Sequence, residues 1–134
     1  PEEHIKYYST EMDNSWLIEP LPLPVKRTLL LSGDRDLLCK DIALLKIKYG
    51  AVAGDWESGA IAWVAKKNKA TCLILRGVTD LVGENDGQAY NGNQNLYYKN
   101  TELIMKKLIT SIPEWLLRYR NYFIDGIRGV NTLE

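Results

Sequence analysis

The chain has 134 residues, enough for one domain with a buried core, and its 46% hydrophobic and 25% charged residues are ordinary for a globular protein. Its seventeen basic residues balance seventeen acidic ones. This balance argues against nucleic acid or an anionic membrane surface as a partner, because both attract a strongly basic surface. A small molecule or another protein is the expected partner.

Residues 1–27 differ in character from the rest of the chain. The first part mixes polar and aromatic residues without a sustained period, and Pro20, Pro22 and Pro24 then alternate with apolar residues. Prolines at this density forbid a helix and favour an extended segment. The sequence therefore predicts an irregular, proline-containing lead-in over residues 1–27, a domain over 28–122 and a tail over 123–134.

The two cysteines and the lack of long apolar runs indicate the cellular compartment in which the protein is expected. Cys39 and Cys72 each lie in an apolar run, where buried free thiols are expected, although a structural pair remains an alternative. No window reaches the length of a membrane span, and the charged N-terminus lacks a signal-peptide core. The prediction is a cytoplasmic protein. The single histidine, His4, lies in the lead-in and argues against a histidine triad or a zinc site.

Strands and helices are predicted to alternate after the lead-in. Short apolar runs predict three strands, at residues 28–32, 51–56 and 71–75. Apolar residues at helical spacing predict four helices, at residues 34–49, 58–67, 100–112 and 113–122. Asp34 is expected to cap the first helix, Gly50 to end it, and Pro113 to open the last. This order requires crossovers, so the predicted fold is a three-layer α/β/α sandwich with a largely parallel or mixed sheet.

Acidic side chains lie at the carboxyl ends of all three predicted strands. Asp34 follows the first, Asp55 and Glu57 end the second, and Asp80 follows the third. Ligands of open α/β sheets bind at this edge, so the acids predict a binding site there. For Asp34, Asp55 and Glu57, capping of the following helix is the alternative. A long polar loop follows Asp80, which makes capping harder to invoke there.

Three motifs at these strand ends resemble those of a known family. They are Ser-Gly-Asp at 32–34, Asp-Trp-Glu-Ser-Gly-Ala-Ile-Ala at 55–62 and Arg-Gly-Val-Thr-Asp at 76–80. Their order and approximate spacing resemble the nucleoside phosphorylase superfamily, and within it the 5′-methylthioadenosine/S-adenosylhomocysteine nucleosidases. The resemblance covers residues 28 to about 116, the C-terminal half of a typical member. It implies a phosphorylase/hydrolase-like fold, cleavage of purine nucleosides without cofactor or metal, and a homo-dimer or larger homo-oligomer.

The resemblance also implies roles for individual side chains. Asp80 matches the aspartate that protonates the purine N7 or hydrogen-bonds to it, and Glu57 matches the glutamate that binds the ribose hydroxyls. Both roles suit the reaction, because glycosidic cleavage places negative charge on the departing base and positive charge on the sugar.

Four further residues take family positions, with differences. Trp56 replaces a methionine that packs under the sugar, and Thr79 replaces the serine before the catalytic aspartate. Arg76 is expected to hold the cluster in register, and the backbone of Leu37 is expected to meet the base. Asp36 stands where members carry a stacking aromatic residue, which weakens the prediction of adenine recognition.

Alternatives to a nucleosidase remain open. Residues 1–27 contain no counterpart of the family's N-terminal half, which supplies a glycine-rich turn, phosphate-binding arginines and the water-activating glutamate. The chain is thus expected to be a fragment, to be completed by a partner, or to be a degenerate relative. The alternatives are a nucleoside phosphorylase and a non-catalytic nucleoside-binding or regulatory module. No arginine lies between Arg76 and Arg118, which favours the nucleosidase over the phosphorylase.

Overall fold

The computed structural model describes residues 2–83, 87–89 and 94–130, with side chains described over 3–83, 87–89 and 94–124. Its elements are helices and two short strands in the following order: α1 (Glu2–Tyr8), β1 (Leu30–Ser32), α2 (Cys39–Tyr49), β2 (Ala53–Asp55), α3 (Ser58–Lys67) and α4 (Gln94–Val130). No helix within these described ranges has both the length and the apolar character needed to cross a membrane. Both cysteines are free thiols and partly buried.

Strands β1 and β2 pair in parallel, as predicted for the first two strands. The register places Leu30 opposite Ala53, Leu31 opposite Gly54 and Ser32 opposite Asp55. Helix α2 forms the crossover that a parallel pair requires. The pairing brings Ser32 and Asp55 side by side at the carboxyl edge of the sheet.

The third predicted strand, at residues 71–75, has no strand ladder in the structure. This segment contributes Leu73 and Leu75 to the hydrophobic core, where both are partly buried. Its apolar run therefore serves side-chain packing, and the described part of the chain contains a two-stranded sheet. The three-layer sandwich stays a prediction.

Helix α2 begins at Cys39, so the predicted start at Asp34 is wrong. Leu38 precedes the helix in an extended conformation, with φ −88° and ψ 139°, and provides no side-chain cap. Leu37 packs closely on β2, because a Cβ placed on Gly54 would lie 2.9 Å from Leu37 Cδ1. The helix ends as predicted: Gly50 adopts a left-handed φ of 64°, and its N–H donates to the carbonyl of Lys46 at 3.0 Å.

Helix α4 is continuous through Pro113, so the predicted division into two helices is wrong, and the helix extends into the predicted tail. A proline inside a helix removes one backbone hydrogen bond and crowds the preceding turn. The flanking residues Ser111 and Trp115 are buried and stabilise this part of the helix. The Trp115 indole N–H donates to Ser111 Oγ at 3.1 Å, and Ser111 Oγ donates to the Leu108 carbonyl at 2.8 Å.

The lead-in supplies part of the hydrophobic core. Trp16 and Leu17 are buried against Trp115 of α4, and Tyr119 packs on the same cluster with its ring 5.2 Å from that of Trp16. Helix α1 also lies in this segment, which the sequence predicts as irregular throughout. Residues 9–29 contain no helix or strand, which agrees with the density of prolines. The lead-in is thus packed on the domain through its aromatic residues.

Candidate functional site

Asp55 is the centre of a polar cluster at the carboxyl edge of the sheet. Its Oδ1 accepts a hydrogen bond from Ser32 Oγ at 2.5 Å and another from the Ser58 N–H at 3.1 Å. Its Oδ2 accepts from Ser58 Oγ and forms an ion pair with Arg76 Nε at 2.8 Å. The bond from the Ser58 N–H satisfies a donor at the start of α3, which is the capping role considered for Asp55 from the sequence.

A close approach between α3 and β1 completes this cluster. The N–H of Gly59 donates to Ser32 Oγ at 2.8 Å. A Cβ added to Gly59 would lie 2.7 Å from Ser32 Cβ, which is closer than two such atoms can approach. Glycine at this position therefore lets the first turn of the helix lie against the end of the strand.

Arg76 joins three segments of the chain at the same edge. Its Nε donates to Ser58 Oγ at 2.9 Å as well as pairing with Asp55, and its Nη2 lies 3.4 Å from Glu57 Oε2. The Glu57 side chain is 59% exposed and that of Arg76 is 43% exposed. The structure thus brings Arg76 and Glu57 together, with one carboxylate oxygen of Glu57 oriented by the guanidinium and the residue open to solvent.

The pKa of Asp55 lies below its ordinary value of 3.8. Partial burial raises this pKa, but hydrogen bonds from Ser32 and Ser58 and the positive charge of Arg76 outweigh the effect of burial. Each of these contacts favours the ionised carboxylate. Asp55 is therefore the anionic anchor of Arg76 at neutral pH.

Trp56 fixes the loop between β1 and α2. Its indole N–H donates to the Arg35 carbonyl at 3.2 Å, while the residue stays 61% exposed. Arg35 in turn pairs with Asp41 of α2 at 2.8 Å. The loop also contains Leu37, which packs on β2. Trp56 and Leu37 accordingly hold one loop beside the carboxyl edge, and most of the Trp56 side chain stays exposed.

Thr79 and Asp80 form a second polar group, attached to α4. Thr79 Oγ1 donates to Asp80 Oδ1 at 2.6 Å, and Asn100 Nδ2 of α4 donates to the Thr79 carbonyl at 2.6 Å. Across the described residues, no hydrogen bond or ion pair joins Asp80 to Glu57 or Arg76. The predicted site residues therefore fall into two groups that this structure does not join by a direct contact.

Sequence reasoning quoted Ser32, Ser58 and Gly59 in the motifs but assigned no role to them. The feature of the sequence that could have indicated their roles is the placement of small residues at a strand end and in the first turn of a helix, because small residues let the backbones of the two elements approach each other closely. A strand-end carboxylate near two serines and an arginine is an arrangement that fixes a guanidinium.

Comparison with protein-family models, with curated proteins and with solved structures gives no match for this chain. The arrangement itself has a definite chemical capacity. An exposed carboxylate oriented by an arginine can accept hydrogen bonds from two neighbouring hydroxyl groups of a ligand, and an exposed indole next to it in the chain can pack on an apolar ring or chain.

Proposed function

We propose that the chain is the C-terminal portion of a nucleosidase-like enzyme that hydrolyses the N-glycosidic bond of purine nucleosides of the methylthioadenosine or adenosylhomocysteine type. The observation that carries the proposal is the position of Glu57. It lies between β2 and α3, two residues after the last residue of the strand, with its Oε2 atom 3.4 Å from Arg76 Nη2, and it is open to solvent. The order of the three motifs supports the same assignment.

Glu57 binds the ribose in this proposal. One carboxylate can accept hydrogen bonds from the 2′- and 3′-hydroxyls, and such charge-assisted bonds contribute about 1.5–3 kcal/mol each. Arg76 orients the carboxylate, and Asp55 holds Arg76 through the ion pair at 2.8 Å. Trp56 forms the wall against which the sugar and its 5′-substituent pack, and the loop that contains Leu37 meets the base.

Asp80 is the general acid in this proposal. Protonation of the purine N7 neutralises the departing base, and a positioned acid contributes a factor of about 10² to 10⁴ in rate. Thr79 orients the Asp80 carboxyl through the hydrogen bond at 2.6 Å. The reaction needs neither a metal nor a redox cofactor, and we place the enzyme in the cytoplasm as a homo-dimer or larger homo-oligomer.

Isothermal titration calorimetry of the Glu57→Gln variant tests the ribose site. Binding of adenosine and methylthioadenosine should weaken by about 10- to 100-fold, whereas binding of free adenine should change little, because the lost bonds involve only the sugar. Glu114→Gln is the matched control, since Glu114 is an exposed glutamate on α4. Equal losses for nucleoside and free base would place Glu57 outside the ribose site.

One observation favours a second candidate, a non-catalytic nucleoside-binding module. The Glu57–Arg76 group is assembled, whereas no direct contact joins it to Asp80. An assay of free-base release separates the candidates. It uses the protein encoded by the natural open reading frame that contains this chain. Cleavage without phosphate supports the nucleosidase, a requirement for phosphate supports the phosphorylase alternative, and binding without cleavage supports the module.

A further inference from the structure

Helix α4 presents a continuous apolar stripe that nothing in the described chain covers. It consists of side chains that are 46–63% exposed, namely Tyr98, Met105, Ile109, Ile112, Leu116 and Phe123, and we call it the α4 stripe. At about 100° per residue, these six positions fall within an arc of about 60° on the helix surface. Their spacing of three, four or seven residues is that of a helix–helix seam.

The α4 stripe is distinct from the face by which α4 packs on the rest of the chain. That face contains the buried Ser111 and Trp115 and the partly buried Ile104 and Leu108, about 100° away around the helix. The stripe extends over about 38 Å, taking 1.5 Å per residue from Tyr98 to Phe123. An exposed apolar surface of this length marks an interaction site, because monomeric proteins rarely expose one.

The sequence of the stripe is complementary to itself when it is reversed. In an antiparallel pair of α4 helices related by a two-fold axis between Thr110 and Ser111, large apolar side chains face each other in three layers. Tyr98 faces the partner's Phe123, Met105 faces the partner's Leu116, and Ile109 faces the partner's Ile112. A two-fold contact requires this self-complementarity, since each residue meets its counterpart twice.

Charges at one edge of the stripe favour the same arrangement. Glu102 and Arg120 lie at the same angle around the helix and are nearly symmetric about the same axis. Antiparallel pairing brings the same edge of the two helices together and places Glu102 beside the partner's Arg120, whereas parallel pairing would leave these two edges on opposite sides of the interface, where neither charge meets its opposite.

We infer that a second copy of this chain packs antiparallel along the α4 stripe and forms a two-fold dimer. The inference does not depend on the nucleoside chemistry proposed above, because none of the stripe residues belongs to the candidate site. The dimer buries both stripes in one interface, with Ile109 and Ile112 at its centre.

Sedimentation equilibrium of the 134-residue chain and its variants tests the inference. The unaltered chain should be a dimer at micromolar concentration, and Ile109→Glu should weaken the dimer by about 100-fold or more, because it buries two unpaired carboxylates at the centre. Leu103→Glu and Leu117→Glu are the matched controls, since both residues are exposed, at 54% and 51%, and lie on other sides of the helix. Far-UV circular dichroism verifies that each variant keeps its helical content.

A charge exchange tests the orientation. Glu102→Arg and Arg120→Glu should each weaken the dimer, and the double variant should recover most of the loss, because only an antiparallel pair restores opposite charges. A monomeric unaltered chain, equal losses from Ile109→Glu and Leu117→Glu, or no recovery in the double variant would each overturn the inference.

Discussion

The guanidinium of Arg76 lies 2.8 Å from the carboxylate of Asp55 and also reaches Glu57, so one side chain from the segment after α3 contacts both the last residue of β2 and the residue before α3. This contact gives Asp55 a structural role, whereas Glu57 is the ribose-binding residue of the proposed function. Variants at the two positions should therefore have different consequences, the first mainly for stability and the second mainly for ligand binding.

Asp55→Asn should lower the free energy of unfolding by about 1–3 kcal/mol, because the amide cannot pair with Arg76 or accept from every donor around it. Urea denaturation followed by circular dichroism measures the change. Asp36→Asn is the control, since Asp36 is an exposed acid in the neighbouring loop, and its effect should stay within about 0.5 kcal/mol. An unchanged free energy of unfolding in Asp55→Asn would show that the cluster does not stabilise the fold.

The difference in stability between the unaltered chain and Asp55→Asn should depend on pH. The pKa of Asp55 in the folded protein lies below its ordinary value of 3.8, so its contribution is present above that value and is lost as the pH falls through the lowered pKa. The difference should therefore be constant near neutral pH and shrink in acid. Hydrogen bonds from Ser15 also lower the pKa of Asp13, but this effect is present in both proteins and cancels. A difference that grows in acid would contradict the assignment.

Gly59→Ala should destabilise the protein by about 1–3 kcal/mol, because its Cβ has no room against Ser32 and α3 must shift. Gly33→Ala provides a direct control, since a Cβ at Gly33 meets nothing within 4 Å. A double-mutant cycle with Ser32→Gly identifies the contact. The double variant should lose less free energy of unfolding than the sum of the losses in the two single variants. Additive losses would mean that the strain arises elsewhere.

Trp115→Ala should lower stability by about 3–5 kcal/mol, the usual cost of removing a buried aromatic side chain. Trp115 is 4% exposed and joins α4 to Trp16 and Leu17 of the lead-in. Trp115→Phe should have a smaller effect, because it loses mainly the hydrogen bond to Ser111. Leu117→Ala, at an exposed position two residues away, should be nearly neutral in the same thermal unfolding measurement.

Asp80→Asn in the complete protein should lower nucleoside turnover by about 10² to 10⁴, because an amide cannot protonate the base. Binding of nucleoside should change far less than turnover, and unfolding should be unaffected. Steady-state release of free base, with Glu114→Gln on the exposed side of α4 as the control, measures the effect. Near-normal turnover would remove Asp80 from the role of general acid.

The parallel pairing of β1 with β2 was predictable, because two short apolar runs separated by a helix must be joined by a crossover. The start of α2 was not, since Leu37 packs on β2 and Trp56 binds the Arg35 carbonyl, and neither contact has a local signal. The prediction at Pro113 was wrong for the opposite reason. Proline has a strong local preference for the start of a helix, but the packing of Trp115 outweighs this preference.

The candidate site was predictable in part. The motifs predicted that Glu57, Arg76 and Asp80 share one cleft; the structure brings Glu57 and Arg76 together, and no hydrogen bond or ion pair among the described residues joins either of them to Asp80. The network of Ser32, Ser58 and Asp55 was missed, because side-chain hydrogen bonds between a strand end and a helix start depend on tertiary register. The aromatic residues of the lead-in were also missed as core, since a segment without periodicity gives no indication of the face it buries.

The carboxyl edge of the sheet has an electrostatic consequence for ligand choice. Asp34, Asp36, Asp55 and Glu57 supply four carboxylates there, against the two guanidinium groups of Arg35 and Arg76. Carboxylates therefore outnumber guanidinium groups among these residues, and this excess disfavours a phosphate ester relative to an uncharged or cationic ligand. A nucleotide should accordingly bind more weakly than the nucleoside of the same base, and added salt should narrow the gap by screening the repulsion.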